Sequence, residues 1–227
     1  MAKTNSQKSA VPVVEQPLNT SEAFFLKYKK AIIGAVIAII VIIGGIIVYN
    51  TYYKAPREDK ASTAIAKGQS YFSAEQFDKA LNGDGAEYPG FLSIADDFSG
   101  TKAGNLANLY AGLCYANLEK WNEAITYIEK FDGKDDNLVS PAAEAALGNA
   151  YAHVNQNAKA VEHLKKAAAK ADNNTLSPIF LIQAGEILES EGKKDEALKL
   201  YQEIKDKYFE SMQYQTIDKY IERATTK

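Results

Sequence analysis

Three side chains in this sequence could act as a soft metal ligand, a thiol nucleophile or an imidazole base: Cys114, His153 and His163. A protein zinc site needs three or four Cys, His or carboxylate ligands converging on one point, and a nucleophile needs a base beside it. Cys114 is the only cysteine, so neither an internal disulfide nor a cysteine metal cluster can form. His153 and His163 are expected on different helices of one helical pair, and neither has a second histidine or cysteine near it in sequence. Cys114 falls in an apolar stretch where a small buried residue is expected rather than a reactive thiol. No Ser-His-acid grouping, phosphate-cradling glycine loop or nucleotide fingerprint is present. The acidic pairs Asp96-Asp97 and Asp135-Asp136 fall at expected helix ends, where solvated carboxylates are usual. The expectation is a protein that is not an enzyme, holds no metal or cofactor, and takes no small-molecule substrate.

With chemistry set aside, composition bounds what is left. The 227 residues are 46% hydrophobic and 24% charged, which describes a folded chain able to bury a core. The net charge of -3 is unevenly placed. Lys3, Lys8, Lys27, Lys29 and Lys30 outnumber Glu15 and Glu22 in the first thirty residues, so the remainder is acidic. An acidic body lacks the basic surface that phosphate binding needs, and nucleic acid is excluded as a partner.

Ala31 to Val48 reads AIIGAVIAIIVIIGGIIV, with no charged or strongly polar side chain. At about 1.5 Å per residue this stretch matches the roughly 30 Å hydrocarbon layer of a bilayer, and a helix is the one open-ended structure that satisfies its own backbone there. Tyr49, Tyr52 and Tyr53 follow at once, and Phe24, Phe25 and Tyr28 precede it, as aromatic belts would. The long leader and the lack of a small-x-small exit argue for a retained anchor rather than a cleaved signal. Lysines and arginines on the two sides nearly tie; Lys27, Lys29 and Lys30 sit tighter against the core, which favours a cytoplasmic N-terminus. The division expected is a disordered polar tail over 1–20, an anchor with aromatic and basic flanks over 21–54, and a helical domain over 55–227. Thr20 or Ser21 would cap the anchor helix, and Ala55-Pro56 would break it.

The helical domain repeats. Gly68, Gly112, Gly148 and Gly185 are each followed three residues on by Tyr71, Tyr115, Tyr151 and Leu188, and twelve residues on by Ala80, Ala124, Ala160 and Ala197. Between glycine and alanine each unit has a polar break: AEQFDKA, LEKWNEA, NQNAKA and EGKKDEA. Two antiparallel helices cross closely only where both present small residues, so glycine on the first helix and alanine on the second mark the crossing, and the tyrosine fills the adjacent gap. Each pair leaves an apolar face that the next pair must cover. Ser211 to Thr225 would cover the last one as a capping helix, with Met212, Ile217, Tyr220 and Ile221 inward. Asn82–Gly90 (NGDGAEYPG) interrupts the second helix of the first unit and reads as a surface insertion.

These residues resemble the tetratricopeptide repeat family, whose unit is roughly 34 residues; glycine-to-glycine spacings here are 44, 36 and 37. The fold class expected is therefore all-α: a single N-terminal transmembrane helix, then a tetratricopeptide-like α-solenoid of about four helix pairs and a C-terminal capping helix. The resemblance implies a concave groove lined by first helices that accepts peptides. Carried over, its groove residues are Ile65, Gln69, Phe72, Leu106, Leu109, Leu113, Ala142, Ala145, Asn149, His153, Ile179, Ile182, Glu186 and Glu189. The clamp that some members use for a terminal carboxylate would fall on Ile65, Gln69, Tyr110, Ala142 and Ala146, which cannot supply it. Several groove side chains could instead pack between units.

An anchor preceded by EAFFLKYKK with such repeats behind it also resembles the YfgM family of bacterial inner-membrane proteins. That resemblance implies an ancillary subunit of the Sec translocon with its repeats in the periplasm. There it would associate with a membrane-anchored chaperone of the peptidyl-prolyl isomerase class and help receive emerging polypeptides. A repeat scaffold for envelope assembly or cell division, or a regulatory subunit of a membrane enzyme, remains open at this point.

Overall fold

A computed structural model describes residues 20–133 and 136–226, with only the backbone described for residues 20–23 and 25. The polar tail and the capping side chains of Thr20 and Ser21, together with Asp135, lie outside what it describes. Every described element is helical, and the chain forms two compact units that meet between Tyr53 and Lys54.

The first unit is helix α1 (Thr20–Tyr49), followed by a five-residue π turn, Asn50–Lys54. None of its apolar stretch is buried, with Ile40, Val41 and Ile42 open to the surroundings, and it is long and apolar enough to cross a membrane. Pro56 does not break the helical backbone as expected. It occupies the first turn of α2 (Ala55–Ser73), where its missing N–H is no loss.

The second unit stacks helix pairs. α2 pairs with α3 (Phe77–Asn82) and α4 (Phe91–Asp97), the two halves of one interrupted helix. α5 (Lys102–Asn117) pairs with α6 (Trp121–Ile128), α7 (Val139–His153) with α8 (Asn157–Ala171), and α9 (Ser177–Ser190) with α10 (Lys194–Lys207). α11 (Ile217–Thr225) closes the stack by burying Ile217 and Ala224. Met212, expected on that inward face, is instead exposed. Ser211 caps a separate 3-10 turn, Met212–Gln215, which turns it outward.

The crossings are the ones the glycines and alanines announce. Ala80, Ala124, Ala160 and Ala197 are fully buried. A Cβ on Gly112 would lie 3.0 Å from the Ala124 carbonyl oxygen and far inside contact with Ile128; one on Gly148 would meet the Ala160 oxygen at 3.0 Å and Leu164 at 2.9 Å. One on Gly185 would meet the Tyr201 ring. In these three units the blocking side chain stands four residues after the alanine. In the first unit α3 ends too soon to supply it. Tyr88 of the insertion folds back instead: its hydroxyl and the Phe91 ring cover Gly68, and that hydroxyl donates to the Ala80 carbonyl at 2.6 Å. The insertion is therefore partly core, pinned by Asp84, which accepts from the Ala86 and Tyr88 amides and from the Tyr71 hydroxyl.

Seven residues after each unit's glycine, the chain turns between paired helices through a left-handed residue: Glu75 (φ 57), Glu119 (φ 59), Asn155 (φ 58) and Gly192 (φ 75). The next residue's amide then bonds back to Tyr71, Tyr115, Tyr151 or Leu188, the closing pattern of a left-handed helix end. Only the fourth unit uses the residue best suited to that conformation.

Candidate functional site

The first helices, α2, α5, α7 and α9, position the expected groove residues, and their surroundings differ. Ile65 and Leu109 are 6% and 5% exposed and belong to the cores of the first and middle units. Ala145 is likewise buried. Gln69 donates to the Tyr110 hydroxyl at 3.1 Å, and Phe72 packs edge-on against both Phe77 and Tyr110. Leu106 and Leu113 are half-buried, Leu106 touching two core clusters. Asn149 and Ile182 are half-buried, Ile182 against the C-terminal core. Ala142, Ile179 and Glu186 are exposed, and Glu186 lies 3.8 Å from Arg223. His153 is exposed on one side and stacked flat on Trp121 on the other, with ring centroids 3.7 Å apart. The candidates that reach the surface are thus mostly apolar, with Gln69, Asn149, His153 and Glu186 as the polar ones.

Two features went unread in the sequence. Glu144, only 12% exposed, sits between α7 and α8 with Lys166 at 2.7 Å, His163 at 2.9 Å and Lys170 at 2.9 Å. Burial opposes its ionisation, but hydrogen bonds from Lys166, His163 and Lys170 outweigh this and hold its pKa down at about 2. A pocket of about 230 Å³ opens beside it, with Glu129 and Ser140 on its wall. Here Tyr151 bonds Glu129 and stacks on His163, so the third unit's repeat tyrosine ties two units together. The second feature is a cleft of about 720 Å³ where α5 and α7 begin, between Ser99–Lys102 and Lys130–Gly133. Its walls are clasped by Asn105 and Asp132, which exchange two hydrogen bonds of 2.9 Å. Glu58 of α2 accepts from the Lys102 and Ala103 amides at 2.7 and 2.8 Å, capping α5 from the preceding unit.

The charged side chains that line the smaller pocket are paired with one another or with Tyr151. Among the described residues no His, Cys, Asp and Glu side chains converge as metal ligands. Burial pushes the Cys114 thiol up to about 12, with Asp78 adding to the effect, so it is not a thiolate at neutral pH.

Helix pairs in register, glycine–alanine crossings and a closing helix define a tetratricopeptide-like repeat protein, a fold typical of protein-interaction scaffolds. Two solved structures agree on this. A kinesin light chain with nearly identical TPR-like repeats from Podosopora anserina superposes with a TM-score of 0.55 at 14% identity, over 74% of this chain and 85% of that one. The MamA protein superposes with a TM-score of 0.53 at 18% identity, over 72% of this chain and 89% of that one. At such identities the likeness is one of fold. Residues 51–216 match the family described as "T7SS, ESX-1 secretion system protein EccA1, N-terminal domain", and the chain belongs to that family. No curated protein matches it.

Proposed function

We propose that this protein is a non-catalytic, membrane-anchored scaffold that holds other proteins, working as an ancillary subunit beside the Sec translocon of a bacterial inner membrane. The observation that carries the reading is the joining, in one chain, of a long apolar helix with none of its span buried to a tetratricopeptide-like stack. The layout EAFFLKYKK–anchor–repeats resembles the YfgM family, and the family to which the chain belongs takes its name from a secretion-system protein. Both likenesses lie in protein export. In this reading residues 1–20 are a cytoplasmic tail, 21–54 the anchor and 55–227 a periplasmic repeat domain. The strip formed by Gln69, Phe72, Leu106, Leu113, Asn149, His153, Ile182 and Glu186 receives emerging polypeptides or a membrane-anchored peptidyl-prolyl isomerase-type chaperone, with Ile65 and Leu109 supporting it from beneath. The strip is mostly uncharged, which suits apolar segments rather than terminal carboxylates.

The test is a mild-detergent pull-down of the tagged full chain from cells crosslinked during export. Translocon subunits and the chaperone co-purify, and substituting Leu113→Asp lowers chaperone recovery while leaving translocon recovery intact. Recovery of neither component would sink the proposal. Orientation is read separately from Ala86→Cys in the exposed tip of the insertion. A membrane-impermeant maleimide labels it in spheroplasts, whereas protection until the inner membrane is breached refutes the periplasmic placement.

A further inference from the structure

Solvent-exposed large apolar side chains are not scattered over the repeat unit. Among its described residues they are Leu138 (68% exposed), Ile179, Phe209 (61%), Met212 (84%) and Tyr214. All five lie at one edge of the stack, the edge where α2, α5, α7, α9 and α11 begin and where α4, α6, α8 and α10 end. Interactions across neighbouring loops define this edge: Arg57 donates to the Asp97 carbonyl, Glu58 caps α5, Asn105 clasps Asp132, and Lys207 pairs with Asp172 at 2.6 Å. Asn174 reaches Glu210 at 3.4 Å, which brings the Phe209–Tyr214 loop to the start of α9.

The opposite edge is built differently. Its four turns show Glu75 and Gln76, Glu119 and Lys120, Asn155 and Gln156, and Glu191 and Lys193 to solvent, while Leu118 and Val154 are half-buried. Such a division has a physical meaning. Isolated exposed apolar side chains are ordinary, but a set confined to one edge of a protein marks a contact. The occupant is indicated by where the chain enters the unit. Lys54, its first residue, lines the cleft at this same edge, and it directly follows Tyr52 and Tyr53, aromatic side chains of the kind that seat at the headgroup level. On the membrane-anchor reading, the chain enters this edge one peptide bond after Tyr53. The basic residues of this edge, Lys54, Arg57, Lys102, Lys130 and Lys207, are offset by Glu58, Asp97, Asp132, Asp136, Asp172 and Glu210, so apolar insertion rather than charge attraction would hold it.

We propose that the edge from Leu138 to Tyr214 rests in the headgroup layer of the bilayer that α1 crosses, leaving the polar edge outward. This rests on the membrane-anchor reading above. The test uses the full chain in phosphatidylcholine vesicles, with a nitrobenzoxadiazole label on single cysteines and nitroxide-bearing lipid as quencher; buried Cys114 stays unlabelled. The positions are Leu138→Cys, Phe209→Cys and Met212→Cys on the proposed edge, Gln156→Cys on the opposite one, and Ile47→Cys in the span. Labels at 138, 209 and 212 are quenched severalfold more than the label at 156, without need for anionic lipid. The double substitution Phe209→Ser with Met212→Ser reduces quenching at 138. Equal quenching at the two edges, with Ile47→Cys still quenched, overturns the proposal and leaves the anchor standing. An unquenched label at 47 overturns the anchor reading itself. Labels at 138 and 212 that are shielded only on adding a soluble protein overturn the lipid assignment in favour of a protein partner.

Discussion

Replacing Gly112 by alanine sets two opposed effects against each other, and the structure decides between them. In the interior of a helix alanine is favoured over glycine by about 1 kcal/mol, so an isolated helix would gain from Gly112→Ala. Here the new Cβ would lie 3.0 Å from the Ala124 carbonyl oxygen and from the Ile128 amide nitrogen, and well inside contact with Ile128 Cγ1. Two of these neighbours are backbone and cannot rotate away, and Ile128 is 3% exposed. α6 must therefore move outward as a body, and overpacking of this kind costs roughly 1–3 kcal/mol. The expected net loss is about 1 kcal/mol, which lowers the melting temperature by roughly 2–4 °C for a domain of this size. Thermal unfolding of the full chain in mild detergent, followed by far-UV circular dichroism, measures it. A double-mutant cycle sharpens the result. In an Ile128→Ala background the worst contact disappears while the two backbone contacts at 3.0 Å stay, so Gly112→Ala costs less than in the natural background, with a coupling of roughly 0.5–3 kcal/mol. A rise in melting temperature for Gly112→Ala alone, or the same cost in both backgrounds, would refute the crossing argument.

Other perturbations probe other links. Gly192 has open space around its missing Cβ and φ 75, so Gly192→Ala isolates backbone strain and destabilises by about 1 kcal/mol in the same assay, while Glu119→Gly stabilises. Tyr88→Phe leaves the buried Ala80 carbonyl without a donor and costs roughly 1–3 kcal/mol in urea unfolding. Glu144 has a folded pKa held near 2, below its ordinary 4.5, so its contribution is present above pH 4.5 and is lost as pH falls toward 2. Glu144→Gln lowers stability at neutral pH by on the order of 2 kcal/mol and flattens that acid limb in urea titrations at graded pH. The Cys114 thiol, fully buried and pushed up to about 12, reacts with maleimide at pH 8 only as fast as the protein opens; stoichiometric labelling of the folded chain within minutes would contradict its burial.

How much of this could be read from residue types alone depended on whether the physics acts at one position or through a neighbour. The Gly112–Ala124 and Gly148–Ala160 crossings were legible because only small residues permit the approach, and the spacing repeats. Glu75, Glu119 and Asn155 adopt the same left-handed turn as Gly192, yet nothing in a glutamate announces it; the turn is imposed by the helices on either side. Periodicity marked Ile65 and Leu109 as apolar positions of first helices, but such helices are sandwiched and apolar on more than one side. Whether a given residue faces the groove or the next helix is set by packing that the pattern does not contain. Met212 shows the same ambiguity from the other direction. Its spacing to Ile217 and Tyr220 fits one face of a helix, but Ser211 begins a 3-10 turn that breaks the register. A methionine expected in the core therefore stands at the surface, and the gathering of such residues at a single edge became visible only once the helices were stacked.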